Sequence, residues 1–263
     1  MKPNYLLLLL LIFVSLKFER AHAQDFDLFE KKLFISQTDT LPYRILLPEN
    51  FDSSKKYPIV LFLHGRGESG KDNEKQLTHG AELFLRDSIR TRYPAIVIFP
   101  QCSNESFWSN VYINRDRSKK GVFNFVNGGK PTQAMQLLLG LVKEFKDKSY
   151  VDKDRIYVGG LSMGGMGTFE ILRRETNTFA AAFAICGGDD VQNVKEYRKI
   201  PLWVFHGEKD DIVPPRYSEI VVNELKRLGS EVRYTNYPNA NHNSWDSAFA
   251  EPDFLQWIFS HKK

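Results

Sequence analysis

The sequence predicts an α/β fold of one domain, with a mostly parallel central sheet flanked by helices, and three observations point there. Residues 59–63, 95–99, 155–158, 181–185 and 202–205 are short runs of almost uninterrupted apolar character, as expected of strands buried on both faces. Between and after them lie amphipathic segments at 73–87, 132–145, 165–175 and 215–228, so strands and helices alternate. The third observation is the stretch 156–168, where an apolar run meets Gly-Leu-Ser-Met-Gly at 160–164 and then becomes helix-forming sequence.

The elements follow in order. Met1 to Ala23 carries Lys2, an apolar block over 5–16 and Ala-His-Ala at 21–23, the pattern of a signal peptide, so the mature domain is expected to be 24–263. The block is shorter than the roughly 20 residues a spanning helix needs, and Lys17, Glu19 and Arg20 close it. The expectation is a secreted or periplasmic protein, cleaved near Ala23, without stable membrane insertion. Losing Lys2, Lys17, Arg20 and Glu19 lowers the formal net charge from +4 to +2, too weak a balance to imply nucleic acid.

Residues 32–36 and 43–47 read as short opening strands, the second closed by Pro48 and a turn-rich stretch. They form the antiparallel start of the sheet. Residues 231–237 suit a last strand and 252–261 a closing helix. No internal repeat, low-complexity tract or second-domain linker interrupts the chain. With 263 residues and 42% hydrophobic content it can bury a substantial core.

Parallel sheets place ligands beyond the carboxyl ends of their strands, which directs attention to the loops there. The 160–164 turn holds Ser162 between Gly160 and Gly164, where a strand-to-helix turn brings backbones too close for a Cβ. The loop after 202–205 reads His-Gly-Glu-Lys-Asp-Asp-Ile-Val-Pro and offers Asp210 and Asp211. His242 lies in Asn-Ala-Asn-His-Asn-Ser-Trp at 239–245, between the last strand and the closing helix. A serine hydroxyl needs a base to take its proton and the base needs a carboxylate to orient it, so the three loops together suit nucleophilic catalysis. The histidines and cysteines include no His-x-His, His-x3-His or Cys-x2-Cys pair, so neither metal nor organic cofactor is expected.

These residues carry a resemblance. The segments 41–48, 57–65, 67–73, 99–102, the serine turn and 206–214 are similar to α/β-hydrolase-fold carboxylesterases of the bacterial "predicted peptidase" and carbohydrate esterase family 1-like group. More distantly, the chain resembles the phospholipase/carboxylesterase and dienelactone hydrolase groups, over about 41–258. The order serine, acid, histidine is the α/β-hydrolase order. The resemblance implies Ser162 as nucleophile, His242 as base and Asp210, by the His-Gly-x-x-Asp-x-x-Val-Pro spacing, as acid. It implies backbone N–H groups of Arg66 and Met163 as an oxyanion hole, with His64 shaping the loop.

The implied activity is hydrolysis of small acyl esters, including acetyl or feruloyl esters of plant polysaccharides. A serine peptidase or lipase of the same fold is the alternative. A non-catalytic carbohydrate-binding protein is a third reading, though it has no need of all three residues. Residues 102–129 form a long aromatic-rich connection with a basic patch at 115–120, expected to act as a lid or substrate wall. Trp108 is a candidate to stack on substrate, with Gln101 and Trp245 as further substrate contacts. The usual strand order of this fold sets the strands ending at Cys102 and Cys186 about 14 Å apart, against the roughly 7 Å a disulfide allows, so both cysteines are expected free and buried.

Overall fold

The computed structural model describes residues 25–37, 39–113 and 122–263. The expected leader and the basic patch at 115–120 lie outside the described residues. The sheet has eight strands: β1 (Glu30–Ile35), β2 (Thr40–Leu46), β3 (Tyr57–Leu63), β4 (Ile96–Pro100), β7 (Val151–Leu161), β8 (Ala181–Ile185), β9 (Leu202–Gly207) and β10 (Val232–Tyr237). Their order is β1-β2-β4-β3-β7-β8-β9-β10. β1 pairs antiparallel with β2 and β2 with β4, and every other neighbouring pair is parallel.

The continuous apolar runs have their physical reason in the two cores. Along β3, Ile59, Leu61 and Leu63 join one face and Val60 and Phe62 the other, because successive side chains point to opposite sides. The first face packs on α3 (Gln133–Lys146), α4 (Met163–Arg174) and α6 (Arg216–Arg227). The second packs on α1 (Ala81–Leu85) and α8 (Phe254–Ser260), around an aromatic cluster in which Phe62 lies 4.8 Å from Phe99. Helix α3 begins where Thr132 caps it, accepting from the Met135 amide at 3.2 Å. It buries Met135, Leu138, Leu141, Val142 and Phe145 on one stripe.

Two expectations change. The 73–87 segment is a 3-10 turn (Lys75–Leu77), then α1, then α2 (Asp87–Arg92), with the chain extended at Arg86. Gly80, at φ +84°, interrupts it where a Cβ would come within 3.1 Å of Phe62. The long connection after Cys102 contains a hairpin, β5 (Val111–Ile113) with β6 (Phe123–Phe125), paired Val111 to Phe125 and Ile113 to Phe123. Phe125 packs edge-on against Tyr217 at 5.5 Å, tying the hairpin to α6.

Candidate active site

Ser162 sits at the junction of β7 and α4 with φ 55° and ψ −117°, outside the regions an L-residue adopts freely. Such a conformation costs about 1–3 kcal/mol, which the surrounding packing offsets. The packing is close: a Cβ at Gly160 would lie 2.5 Å from the Leu63 carbonyl oxygen and 2.6 Å from that of Gly164. A Cβ at Gly164 would fall onto the Leu63 carbonyl itself. The Ser162 amide donates to Ile185 O at 2.9 Å, which locks the turn to the end of β8.

The ends of β9 and β10 bring two partners to this serine. His242 Nδ1 donates to Asp210 Oδ2 at 2.7 Å, and Nε2 is left to accept from Ser162 Oγ at 2.9 Å. Asp210 is buried and receives four donors. The amides of Ile212 and Val213 reach Oδ1, both at 2.9 Å, while His242 and His206 reach Oδ2, the latter with Nε2 at 3.2 Å. Burial alone would raise the carboxyl, but hydrogen bonds from His206 and His242 outweigh it and hold Asp210 well below the usual carboxylate range. Asp211 is exposed, and its amide bonds Asn241 Oδ1 at 3.3 Å. Asn241 Oδ1 also accepts the His242 amide at 2.7 Å, so one side chain steadies the loop that carries the imidazole.

His206, at the end of β9, is a further residue of the site. Its Nε2 also faces Val213 O at 2.7 Å and its Nδ1 faces Ser218 Oγ at 2.7 Å, with no exposed surface. The spacing of four residues between His206 and Asp210, inside one tight loop, was the available signal.

The loop after β3 runs beside the serine. A Cβ placed on Gly65 would lie 3.6 Å from Ser162 Cβ. Arg66 opens a 3-10 turn (Arg66–Glu68) and Met163 opens α4, so both amides belong to the set that a helical turn leaves without an internal partner. His64 fixes this loop from below. The Cys102 amide donates to its Nε2 at 2.9 Å, which leaves Nδ1–H to donate to Gly65 O at 2.6 Å. Burial lowers the His64 pKa to about 4 and keeps the ring neutral. The Arg66 guanidinium donates to Ser106 O at 2.8 Å and to Asn104 O at 2.5 Å, and lies 5.1 Å from the Phe107 ring centre.

The three expected substrate contacts divide. Trp108 has no exposed surface and stands against His64 at 5.5 Å and against Gly167 of α4, so it offers no face to a substrate. Gln101 is likewise buried. Its Oε1 accepts the Asn73 amide at 2.7 Å, and its Nε2 donates to Asp72 at 2.9 Å and Glu68 O at 3.2 Å, which organises the 68–73 loop. Both are corrected to packing roles. Aromatic and amide residues near a strand end look alike in sequence whether they face in or out. Trp245 alone reaches the group, edge-on to His242 at 5.6 Å and tilted over His79 at 5.0 Å.

Cys102 and Cys186 are free and buried. The sheet order puts β3 and β7 between their strands. Cys186, Asp210 and His242 present donor atoms within 4.8 Å of one another. Burial first and Asp210 second push the Cys186 thiol far up, however, whereas a metal takes the thiolate. Asp210 and His242 are moreover already engaged in the chain of bonds to Ser162.

Comparison with known proteins identifies the family and the fold. The model of the phospholipase/carboxylesterase family matches residues 51–256. Lysophospholipase-like protein 1 of Mus musculus is 27% identical over 191 residues, covering 70% of this chain and 79% of the relative. A bifunctional acetylxylan esterase/xylanase of Neocallimastix patriciarum is 32% identical over 69% of this chain, which spans 24% of that longer protein. The crystal structure of a thermostable esterase superposes with a TM-score of 0.80 at 32% identity, over 90% of this chain and 64% of that one. A ferulic acid esterase of Anaeromyces mucronatus shares the fold, with a TM-score of 0.63 at 16% identity, over 89% and 90% of the two chains. From its sheet, its serine turn and these relatives, the chain is a serine hydrolase with the α/β-hydrolase fold and belongs to the phospholipase/carboxylesterase family.

Proposed function

We propose that the protein is an exported carboxylesterase in which Ser162 is the nucleophile, His242 the general base and Asp210 the residue that orients it. The observation that carries this reading is the unbroken series Asp210–His242–Ser162, with contacts of 2.7 and 2.9 Å, ending on a serine held in a strained turn. In the reaction, Ser162 Oγ attacks the ester carbonyl while His242 Nε2 takes its proton. The Arg66 and Met163 amides receive the charge that develops on the carbonyl oxygen, a contribution of roughly 3 kcal/mol per donor in comparable sites. His242 then protonates the departing alcohol. Water, activated by the same imidazole, attacks the acyl-enzyme and releases the acid. The ionised Asp210 stabilises the imidazolium at both steps and keeps its proton on Nδ1. None of these steps calls on a cofactor.

As substrates we propose acyl esters of small alcohols or carbohydrates, with acetyl and feruloyl groups foremost; the acetylxylan esterase among the relatives supports this reading. Export rests on the leader pattern at 1–23; among the described residues no helix is long and apolar enough to cross a membrane. A panel running from p-nitrophenyl acetate through longer acyl chains to feruloyl sugars tests the reading. The expected result is turnover of the short or feruloyl esters, falling at least about a thousandfold in Ser162→Ala. Turnover that survives in Ser162→Ala contradicts it.

A further inference from the structure

Two cavities beside the Arg66 loop are lined by none of Ser162, Met163 and His242. Another, of about 530 Å3, lies at the opposite end of the sheet, where β3 and β4 begin and α8 ends. Its size falls within the roughly 300–1,000 Å3 typical of ligand sites. Arg155 in its wall stands seven residues before Ser162 along β7, about 23 Å at 3.3 Å per residue. The local ladder explains how Arg155 arrives there. β3 and β7 pair Tyr57 with Val151 but Ile59 with Ile156, so residues 152–155 bulge out opposite Pro58, which has no amide to donate.

Lys55, Lys56, Arg92 and Arg155 line this cavity, and no carboxylate does. Like charges around a concave surface repel one another and focus a positive field inward. Among the described residues Lys55, Lys56 and Arg92 form no salt bridge. Arg155 has one, from Nε to Asp152 at 2.7 Å, which leaves its Nη groups uncommitted. Asp52, in the same turn as Lys55, accepts the amide and hydroxyl of Ser54 at 2.9 and 2.7 Å. A buried donor adds to the set. Tyr57, 8% exposed, lines the cavity; its hydroxyl accepts the Asp52 amide at 3.1 Å and finds no acceptor for its own proton among the described residues.

We propose that this cavity binds a soluble, multiply charged oxyanion, a phosphoryl compound or a polycarboxylate. Four cations with one carboxylate partner among them call for more than a single negative charge. Guanidinium forks and ammonium groups form their strongest hydrogen bonds to such oxygens. None of the large exposed apolar side chains among the described residues lies at this cavity, so nothing here would insert into a bilayer, and a soluble ligand is favoured. The site is remote from Ser162 and stands independently of the esterase reading. An occupant would join the starts of β3 and β4 to β7 and α8, and so stabilise the fold by mass action.

Isothermal titration with pyrophosphate and with citrate, in sodium chloride adjusted to constant ionic strength, tests the site. At least one of the two is expected to bind one-to-one with a Kd below about 1 mM and to raise Tm, which chloride alone does not. Tighter pyrophosphate marks a phosphoryl ligand, and tighter citrate a carboxylate one. The variant Lys56→Gln/Arg92→Gln should bind at least about tenfold more weakly. Lys199→Gln/Lys226→Gln, which removes the same charge outside the cavity, should bind as the wild type does. All four side chains are exposed, so neither variant disturbs the core. Failure of both anions to bind, unchanged affinity in the cavity variant, or equal losses in the two variants would overturn the proposal.

Discussion

Asp210 has no rotational freedom left to lose. Two backbone amides hold one of its oxygens and two histidines the other, so the imidazole of His242 meets a carboxylate of fixed orientation. His206 is fully buried and makes no contact with Ser162, so its effect on the reaction must pass through Asp210. Replacing His206 with Leu is expected to lower kcat roughly ten- to hundredfold with KM little changed, as a hydrogen bond to a charged group is worth about 1.5–3 kcal/mol. Gln at 206 can place an amide N–H near the vacated Nε2 and should restore much of the loss. Equal losses in both variants, with native circular dichroism, would remove His206 from the positioning of Asp210. At this scale Ser162, Asp210 and His242 were legible because each stands in a short loop signature whose spacing encodes its geometry. Trp108 and Gln101 were not, because sequence places them near the right strand end without saying which way they face.

Strands are the elements the sequence shows best here, since β3, β4, β8 and β9 are buried along their whole length and, hydrogen-bonded His206 aside, are almost wholly apolar. The β5–β6 hairpin was missed because its strands have three residues each, half-buried or exposed, too short for a period to register. What holds this connection is partly a buried acid in the loop after β8. Asp189 accepts from Asn193 Nδ2 at 2.9 Å and Tyr197 at 3.0 Å, and Asn193 in turn bonds Val126 O and the Gly128 amide at 3.1 and 3.0 Å. Burial, with a smaller contribution from Glu170, raises the Asp189 pKa to about 7 against its hydrogen bonds. A folded-state pKa above the unfolded value of 3.8 means the folded protein binds the extra proton. The stability Asp189 contributes is therefore complete below about pH 4 and is lost as pH rises to about 7. Relative to Asp189→Asn, the wild type should lose up to about 1.4 kcal/mol of unfolding free energy per pH unit across that window. Urea denaturation of both proteins between pH 4.5 and 7.5 checks this; parallel curves would mean that Asp189 is ionised throughout.

Across the whole molecule, one sheet collects groups from positions 64, 66, 162, 210 and 242 at a single edge, because parallel strands all end on the same side. That convergence made the fold and the candidate site readable together. It also decided the cysteines, whose strands are held apart by β3 and β7. Cavity shape was not readable, since the two cavities beside the Arg66 loop are built by a hairpin, a helix start and edge strands brought together only in the folded chain. Reaction of the folded protein with a fluorophosphonate probe, followed by mass mapping, tests the central claim most directly. The account predicts one phosphonyl adduct, on Ser162, and none in His242→Ala on the same timescale. A folded protein that stays unlabelled, or an adduct on any other residue, would contradict it.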